Sequence, residues 1–216
     1  TVRGLHALRM HRPESGPSGD AERSGLPIRI VGDVAVIDIN GPMLKGPAWI
    51  SDYGYAPTGE IRRAVEAATS DAAIAAILLC VDTPGGSVDG LAELGDAVYA
   101  ARQVKPVIAQ ADGMVASAGY YVAGQASKFC AGRMDMIGSL GTRLMLYDYS
   151  KWFEEQGIKA VPIDTSPEDR PYKSAAAEGT EITDQHVEDF QRIVDAYGNA
   201  IAMTTNVEPG KVFLAL

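Results

Sequence analysis

The sequence predicts an α/β fold with a largely parallel sheet, and three observations carry that expectation. Ile74–Val81 is a continuous apolar run of strand length, the pattern of a strand buried on both faces. Helical stripes flank it: Ile61, Ala64, Val65 and Ala68 before it, and Val88, Leu91, Leu94 and Val98 after it. Val107–Gln110 then reads as a short strand, so strands and helices alternate as in βαβ units.

The elements follow in order. Residues 11–27, rich in Pro, Gly and Ser, read as a flexible arm, so 1–27 is set apart from the folded part. Ile28–Val31 and Val34–Ile39 are β-branched runs joined by Gly32-Asp33, a hairpin signature. Gly41–Pro57 is loop-like. Thr58 is read as the N-cap of the first helix, with Glu60 in its first turn. Ser117–Ala126 is built from small residues with helical character. Leu144–Tyr149 and Ala160–Ile163 are read as strands, and Ser150–Gln156 as a short helix stopped by Gly157. A long helix begins near Thr183 with Val187, Phe190, Val194, Tyr197 and Ile201 along one side. Val212–Leu216 reads as the start of a further strand, so 208–216 is expected to open a truncated C-terminal segment, leaving 28–207 as the main domain.

The bulk properties narrow the function classes. The chain has 216 residues, 46% hydrophobic and 22% charged, as expected for a globular protein with a sizeable core. A net charge of −9 and no dense Lys/Arg run argue against a nucleic-acid partner. The longest apolar run, Ala72–Val81, is about half the roughly 20 residues a membrane helix needs. Thr1–Pro27 has no apolar core of a secretory signal; because the chain starts without Met, removal of an upstream leader or anchor stays open. Cys80 and Cys130 lie in separate apolar segments and read as buried thiols rather than a disulfide or a zinc site. No His/Cys/Asp/Glu cluster has metal-ligand spacing and no loop has Walker or dinucleotide form, so neither metal nor cofactor is expected.

Chemistry concentrates in two segments, Val-Asp-Thr-Pro-Gly-Gly-Ser at 81–87 and Met-Val-Ala-Ser-Ala-Gly-Tyr-Tyr at 114–121. Ser117 follows a strand and opens a helix, among residues too small to shield it. It is either a nucleophile or an ordinary N-cap serine. Gly85-Gly86 ends a buried strand and either aims N–H groups into a cleft, as an oxyanion site requires, or makes a plain strand-to-helix turn. Both turns would fall on the carboxyl edge of one parallel sheet, where α/β folds build their sites. Asp82 reads as a brace for its turn.

A nucleophilic serine needs a base. His6 and His11 lie in or near the arm, and His186 sits in an acidic helical segment that reads as a solvated face, so a Ser-His-Asp triad has little support. A desolvated lysine is the alternative. Lys45, Lys105, Lys128, Lys151, Lys159, Lys173 and Lys211 are the candidates, and composition does not choose among them.

These residues are similar to a known family. Val-Asp-Thr-Pro-Gly-Gly-Ser-Val, Met-Val-Ala-Ser-Ala-Gly-Tyr-Tyr-Val-Ala and Ile-Gly-Ser-Leu-Gly-Thr at 137–142, in this order, resemble the three blocks of the signal peptide peptidase A family of serine peptidases, which includes the head-maturation proteases of tailed phages. The resemblance spans roughly Val34 to Val207. It implies a Clp-protease/crotonase-type fold of repeated β-β-α units and a Ser–Lys dyad. The nucleophile carries over to Ser117. The base carries over to Lys173, because Tyr-Lys-Ser-Ala-Ala-Ala-Glu-Gly-Thr-Glu-Ile-Thr resembles the family's lysine segment. The oxyanion donors carry over to the N–H groups of Gly86 and Ala118, and the substrate path to Gly85, Ser87 and Gly119.

The expected activity is endopeptidase cleavage of extended peptides or proteins with small or apolar residues near the cut, by a homo-oligomeric ring or bowl. The phage or prophage capsid protease is favoured over a soluble signal-peptide-degrading enzyme. The expected location is the cytoplasm, including a host's or a procapsid if phage-encoded, or a membrane surface if an anchor was removed. A non-proteolytic scaffold of the same fold and a crotonase-like acyl-CoA enzyme are the competing readings.

Overall fold

In a computed structural model of the chain, residues 26–161, 163 and 179–205 are described. Most of the arm 1–27, the lysine segment around Lys173 and the segment 208–216 lie outside the described residues. Contacts divide the chain into two units, Thr1–Leu140 with Ala202–Leu216, and Gly141–Ile201.

The first unit is built on one sheet. β1 (Ile28–Val31) and β2 (Val34–Asn40) form the antiparallel hairpin that the sequence predicts, with Val31 opposite Val34 and Gly32 at a φ of 65° in the turn. A two-residue connection needs such a left-handed position, which glycine takes without steric cost. Every other pairing is parallel. β2 lies beside β5 (Ala76–Thr83), with Asn40 opposite Asp82 at the carboxyl end. β5 lies beside β6 (Val107–Ala116), and β6 carries β7 (Lys128–Cys130) at its start and β8 (Met136–Gly138) at its end. β3 (Met43–Leu44) and β4 (Ala56–Pro57) make a separate two-stranded parallel ladder, joined by a 3-10 turn at Ala48–Tyr53.

Helices α1 (Thr58–Ser70), α2 (Leu91–Val104) and α3 (Ala118–Gly124) form the second layer. Alternating strand residues supply one side of the core: Ile37 and Ile39 from β2, Leu79 and Val81 from β5, and Ala109 and Ala111 from β6 are all fully buried. Ile61, Ala64, Val65 and Ala68 of α1 and Leu91, Leu94 and Val98 of α2 are buried as their 3.6-residue spacing predicts. Val36, Leu78 and Cys80 form a smaller cluster on the other face, so β5 is buried on both sides, as its unbroken apolar run predicts. Cys80 is buried and Cys130 half-buried, and neither is in a disulfide. Each pairs with Gln110, one on either side, and an intervening strand separates them by roughly 10 Å, too far for a disulfide.

The second unit holds α4 (Ser150–Glu155), followed by Gly157 at a φ of 70° as predicted, and α5 (Asp184–Thr205). Thr142 Oγ1 donates to the Val194 carbonyl at 2.8 Å, and the Ile182 N–H donates to Asp148 Oδ2 at 3.0 Å, so residues 142–148 run alongside the first half of α5.

Several local expectations differ from what forms. Thr58 is the first helical residue and Pro57 the cap, so no hydroxyl caps α1. Val88 is exposed in the turn before α2; Gly90, at a φ of 74°, delays the helix to Leu91. β6 runs on to Ala116, because Gln110 and Asp112 occupy its less buried alternate positions and do not end it. Leu144–Tyr149, Ala160 and Val161 form no strand: they have β-forming residues, but among the described residues no neighbouring strand offers them a ladder.

Candidate active site

β5 and β6 end side by side, and each passes through a tight turn of small residues. After Thr83, Pro84-Gly85-Gly86 leads toward α2; after Ala116, Ser117 leads into α3. The two turns touch. A Cβ placed on Gly85 would lie 2.6 Å from Ser117 Cβ and 3.1 Å from the Ala118 nitrogen, and Gly85 has a φ of 100°. Only glycine permits this approach. Thr83, fully buried, sets the first turn: its Oγ1 donates to the Gly41 carbonyl at 2.7 Å and accepts the Gly85 N–H at 3.1 Å. Its methyl group occupies the space where a Cβ on Gly119 would go, so the first turn of α3 seats directly on Thr83.

Gly86 is braced from the other side. Met43 of β3 donates its N–H to the Gly85 carbonyl at 2.8 Å and accepts the Ser87 N–H at 2.9 Å. In this parallel bridge the N–H and C=O of Gly86 itself point away from Met43. A Cβ on Gly86 would fall on the Met43 backbone, which fixes that position as glycine too.

Ser117 has a φ of 51° and a ψ of −117°, left-handed territory that costs a non-glycine residue about 1–3 kcal/mol. Its backbone is held against that cost. The Ser117 N–H donates to the Gly138 carbonyl of β8 at 2.9 Å, and its carbonyl accepts the first α3 hydrogen bond, from Tyr121, at 3.0 Å. Its side chain makes no capping hydrogen bond, although Ser117 occupies the N-cap position. The hydroxyl is therefore unspent where the ordinary reading would use it. Ala118 is the first residue of α3, so its N–H lies among those a helix leaves without an internal partner.

The other residues of interest take definite places. The Asp82 carboxylate accepts the Met114 N–H at 2.9 Å across an irregularity in the β5–β6 register, so it is a brace, as the sequence suggests. Lys105 donates to the Ala68 and Asp71 carbonyls at the end of α1, near the start of β6 and far from the carboxyl edge. The stem of Lys45, one residue past β3, runs near Gly90. Lys173 lies outside the described residues. His186 is buried, not on a solvated face: its Nδ1 accepts the Thr183 N–H at 3.1 Å while its own N–H donates to Thr183 Oγ1, a reciprocal cap at the start of α5. Among the described residues no group of His, Cys, Asp or Glu could hold a metal ion, and no helix is long and apolar enough to cross a membrane.

Ser139 carries a signal that residue types alone do not give. It follows Gly138, the residue that holds Ser117, and has a φ of 54°. Ser117 and Ser139 are the non-glycine residues of positive φ among those described, and both sit at this edge.

Known proteins resemble the chain over this region. Capsid assembly protease C of Escherichia phage lambda is 32% identical over 148 residues, which cover 67% of this chain and 33% of that protein. The head-tail preconnector protein GP5 of Enterobacteria phage P21 is 23% identical over 183 residues, 83% of this chain and 36% of that one. Protease 4 of Salmonella typhi is 30% identical over 137 residues, 63% of this chain and 22% of that protein. The chain spans about a third or less of the length of these relatives. Among solved structures, an enoyl-CoA hydratase from Mycobacterium avium subsp. paratuberculosis K-10 is similar at 23% identity and a TM-score of 0.40, over 52% of this chain and 46% of that one, a likeness too partial to bear on activity. The model of Peptidase family S49 matches residues 100–208, which include Ser117, α3, β8 and the whole of the second unit; the chain belongs to peptidase family S49.

Proposed function

We propose that the chain is the catalytic part of a serine endopeptidase, with residues 28–207 as its peptidase domain. Ser117 is the nucleophile and neutral Lys173 its general base. Lys173 takes the hydroxyl proton as Ser117 Oγ attacks the scissile carbonyl carbon. The N–H groups of Gly86 and Ala118 hold the oxyanion, and the leaving amine departs with a proton from the lysine. Water, deprotonated by the same amine, then cleaves the acyl-enzyme and regenerates Ser117. Removing one oxyanion donor typically costs about 100- to 1000-fold in rate. Gly85 and Ser87 border the approach of an extended peptide backbone with small or apolar side chains, while Gly119, also expected there, is buried and seats α3 on Thr83.

One observation supports this reading most: Ser117 is held in a strained conformation against Gly85, with its hydroxyl uncommitted to the helix it begins. Strain of this kind persists where the surrounding structure over-determines it, which is common at catalytic turns. The name of the lambda relative, a capsid assembly protease, supports a capsid-protein substrate; a host cytoplasm or procapsid and a ring- or bowl-shaped homo-oligomer are what the family resemblance implies.

Hydrolysis of an apolar peptide ester tests the proposal. Ser117→Ala and Lys173→Ala are each expected to lose at least about 1000-fold in kcat/KM, while Lys45→Ala keeps near wild-type activity. The rate is expected to rise toward roughly pH 8–9, since the base works as the free amine. Activity surviving Ser117→Ala overturns the nucleophile; loss in Lys45→Ala with retention in Lys173→Ala moves the base to Lys45. Tight acyl-CoA binding with no hydrolysis favours the crotonase-like reading, and absence of both favours a scaffold.

A further inference from the structure

β6 carries two surplus residues just before the site. Along the parallel β5–β6 pair, Val81 stands opposite Ala111 and Thr83 opposite Val115. One residue of β5, Asp82, therefore spans three of β6: Asp112, Gly113 and Met114. A surplus of two keeps the strand's faces in phase, because side chains alternate with a period of two. Ala111 and Val115 are accordingly both fully buried, while Gly113 between them is exposed. This is a β-bulge, a device that re-aims a strand.

The bulge decides which residue meets the glycine turn. Continued past Thr83 and Val115, the register puts Gly85 beside Ser117, where the two are in contact. Continued from Val81 and Ala111 with no bulge, it would put Gly85 beside Val115. Ser117 would then lie two residues further on, roughly 6–7 Å of strand rise. β6 also changes partner on its other edge across the same residues. Ile108, Ala109 and Gln110 pair with β7, whereas Met114, Val115 and Ala116 pair with β8, whose Gly138 carbonyl accepts the Ser117 N–H.

Asp82 holds the bulge shut. Its Oδ1 accepts the Met114 N–H at 2.9 Å, at the residue where β6 takes up its new pairing. The carboxylate lies over Gly113, where a Cβ would come within 3.1 Å of Oδ1, and Gly113 has a φ of 127°. Glycine at 113 thus gives both the bend and the room for the carboxylate. The Asp82 carbonyl accepts the Gly41 N–H at 2.9 Å, so the residue is anchored on the β2 side as well. We propose that Asp82 is a positioning residue for the nucleophile: by closing the β6 bulge on Met114 it sets the register at which Ser117 faces Gly85. Its effect on rate rests on Ser117 being the nucleophile, whereas the register it sets does not. Asp82 supplies an acceptor at one place, not a charge. The amide oxygen of asparagine can take that place, and a glutamate carboxylate, one methylene further out, cannot.

Amide hydrogen exchange read by NMR, beside steady-state hydrolysis of an apolar peptide ester, tests this with Asp82→Asn, Asp82→Glu and Asp82→Ala. Asp82→Asn is expected to keep the Met114 and Ser117 N–H groups protected, with kcat within about threefold of wild type. Asp82→Ala and Asp82→Glu are expected to lose protection at both. Their kcat should fall about 10- to 100-fold with KM nearly unchanged, since a misplaced attacking atom slows the chemical step and not binding. If Asp82→Ala unfolds, the contrast between Asp82→Asn and Asp82→Glu decides. Equal exchange at Met114 in all four proteins overturns the proposal. So does a kcat that follows charge, with Asp82→Glu active and Asp82→Asn impaired, or a loss confined to KM. A wild type without Ser117-dependent hydrolysis ends the nucleophile reading alone. In that case loss of Ser117 protection in Asp82→Glu, with retention in Asp82→Asn, still supports the register, and equal protection in both overturns it.

Discussion

Gly85 and Gly119 are where single atoms decide the site. Gly85→Ala adds a methyl group at a φ of 100°, 2.6 Å from Ser117 Cβ. The expected result is a loss of about 1–3 kcal/mol in stability together with most of the reactivity of Ser117, read by urea denaturation and by labelling with a fluorophosphonate. Gly119→Ala meets the Thr83 methyl instead, and overpacking of this kind costs about 1–3 kcal/mol. Because the clash is with one removable methyl, Thr83→Ser in the same chain should recover much of the loss while keeping the hydroxyl bonds to Gly41 and Gly85; equal stability of the single and double variants would contradict the packing account. The glycines at 85 and 86 were legible as a turn from residue type. That both must be glycine was not, because the atoms they avoid belong to Ser117 and Met43, 32 and 43 positions away along the chain.

At the scale of elements, legibility followed burial. β5 and the stripes of α1 and α2 could be read because burial on a fixed period leaves a pattern in the sequence. β7 and β8 could not, being three residues each and defined by their pairing to β6. The inverse error occurred at Leu144–Tyr149, where strand-forming residues have no described strand to pair with. Two caps in the second unit make this scale testable. Thr183→Ala removes the oxygen that receives the His186 N–H and should cost about 1 kcal/mol, measured by thermal denaturation. The Asp148 carboxyl is held below its ordinary value by hydrogen bonds from Ser150, foremost, and from Ile182. A lowered folded value means that its contribution is present above the unfolded pKa of about 4 and is lost as pH falls through the folded value. Trp152 fluorescence should therefore change below about pH 4 in the wild type, with that change missing in Asp148→Asn. The same acid profile in both would contradict the assignment.

For the whole molecule, the site is a consequence of topology. Two adjacent parallel strands bring Gly85 and Ser117 to one edge, β3 braces the first turn and β8 the second. The spacing of the two motifs predicts this much, since consecutive parallel strands joined by a helix place their carboxyl ends together. What escaped the sequence is the positive φ of Ser117 and of Ser139, a backbone conformation that a serine's residue type does not announce. Peptide mapping after a fluorophosphonate reaction, run beside Lys173→Ala and Ser117→Ala, tests the central claim most directly. The account predicts one adduct, on Ser117, forming faster as pH rises and at least about 100-fold more slowly without Lys173. An adduct on another residue, or one on Ser117 that forms equally fast without Lys173, would contradict it.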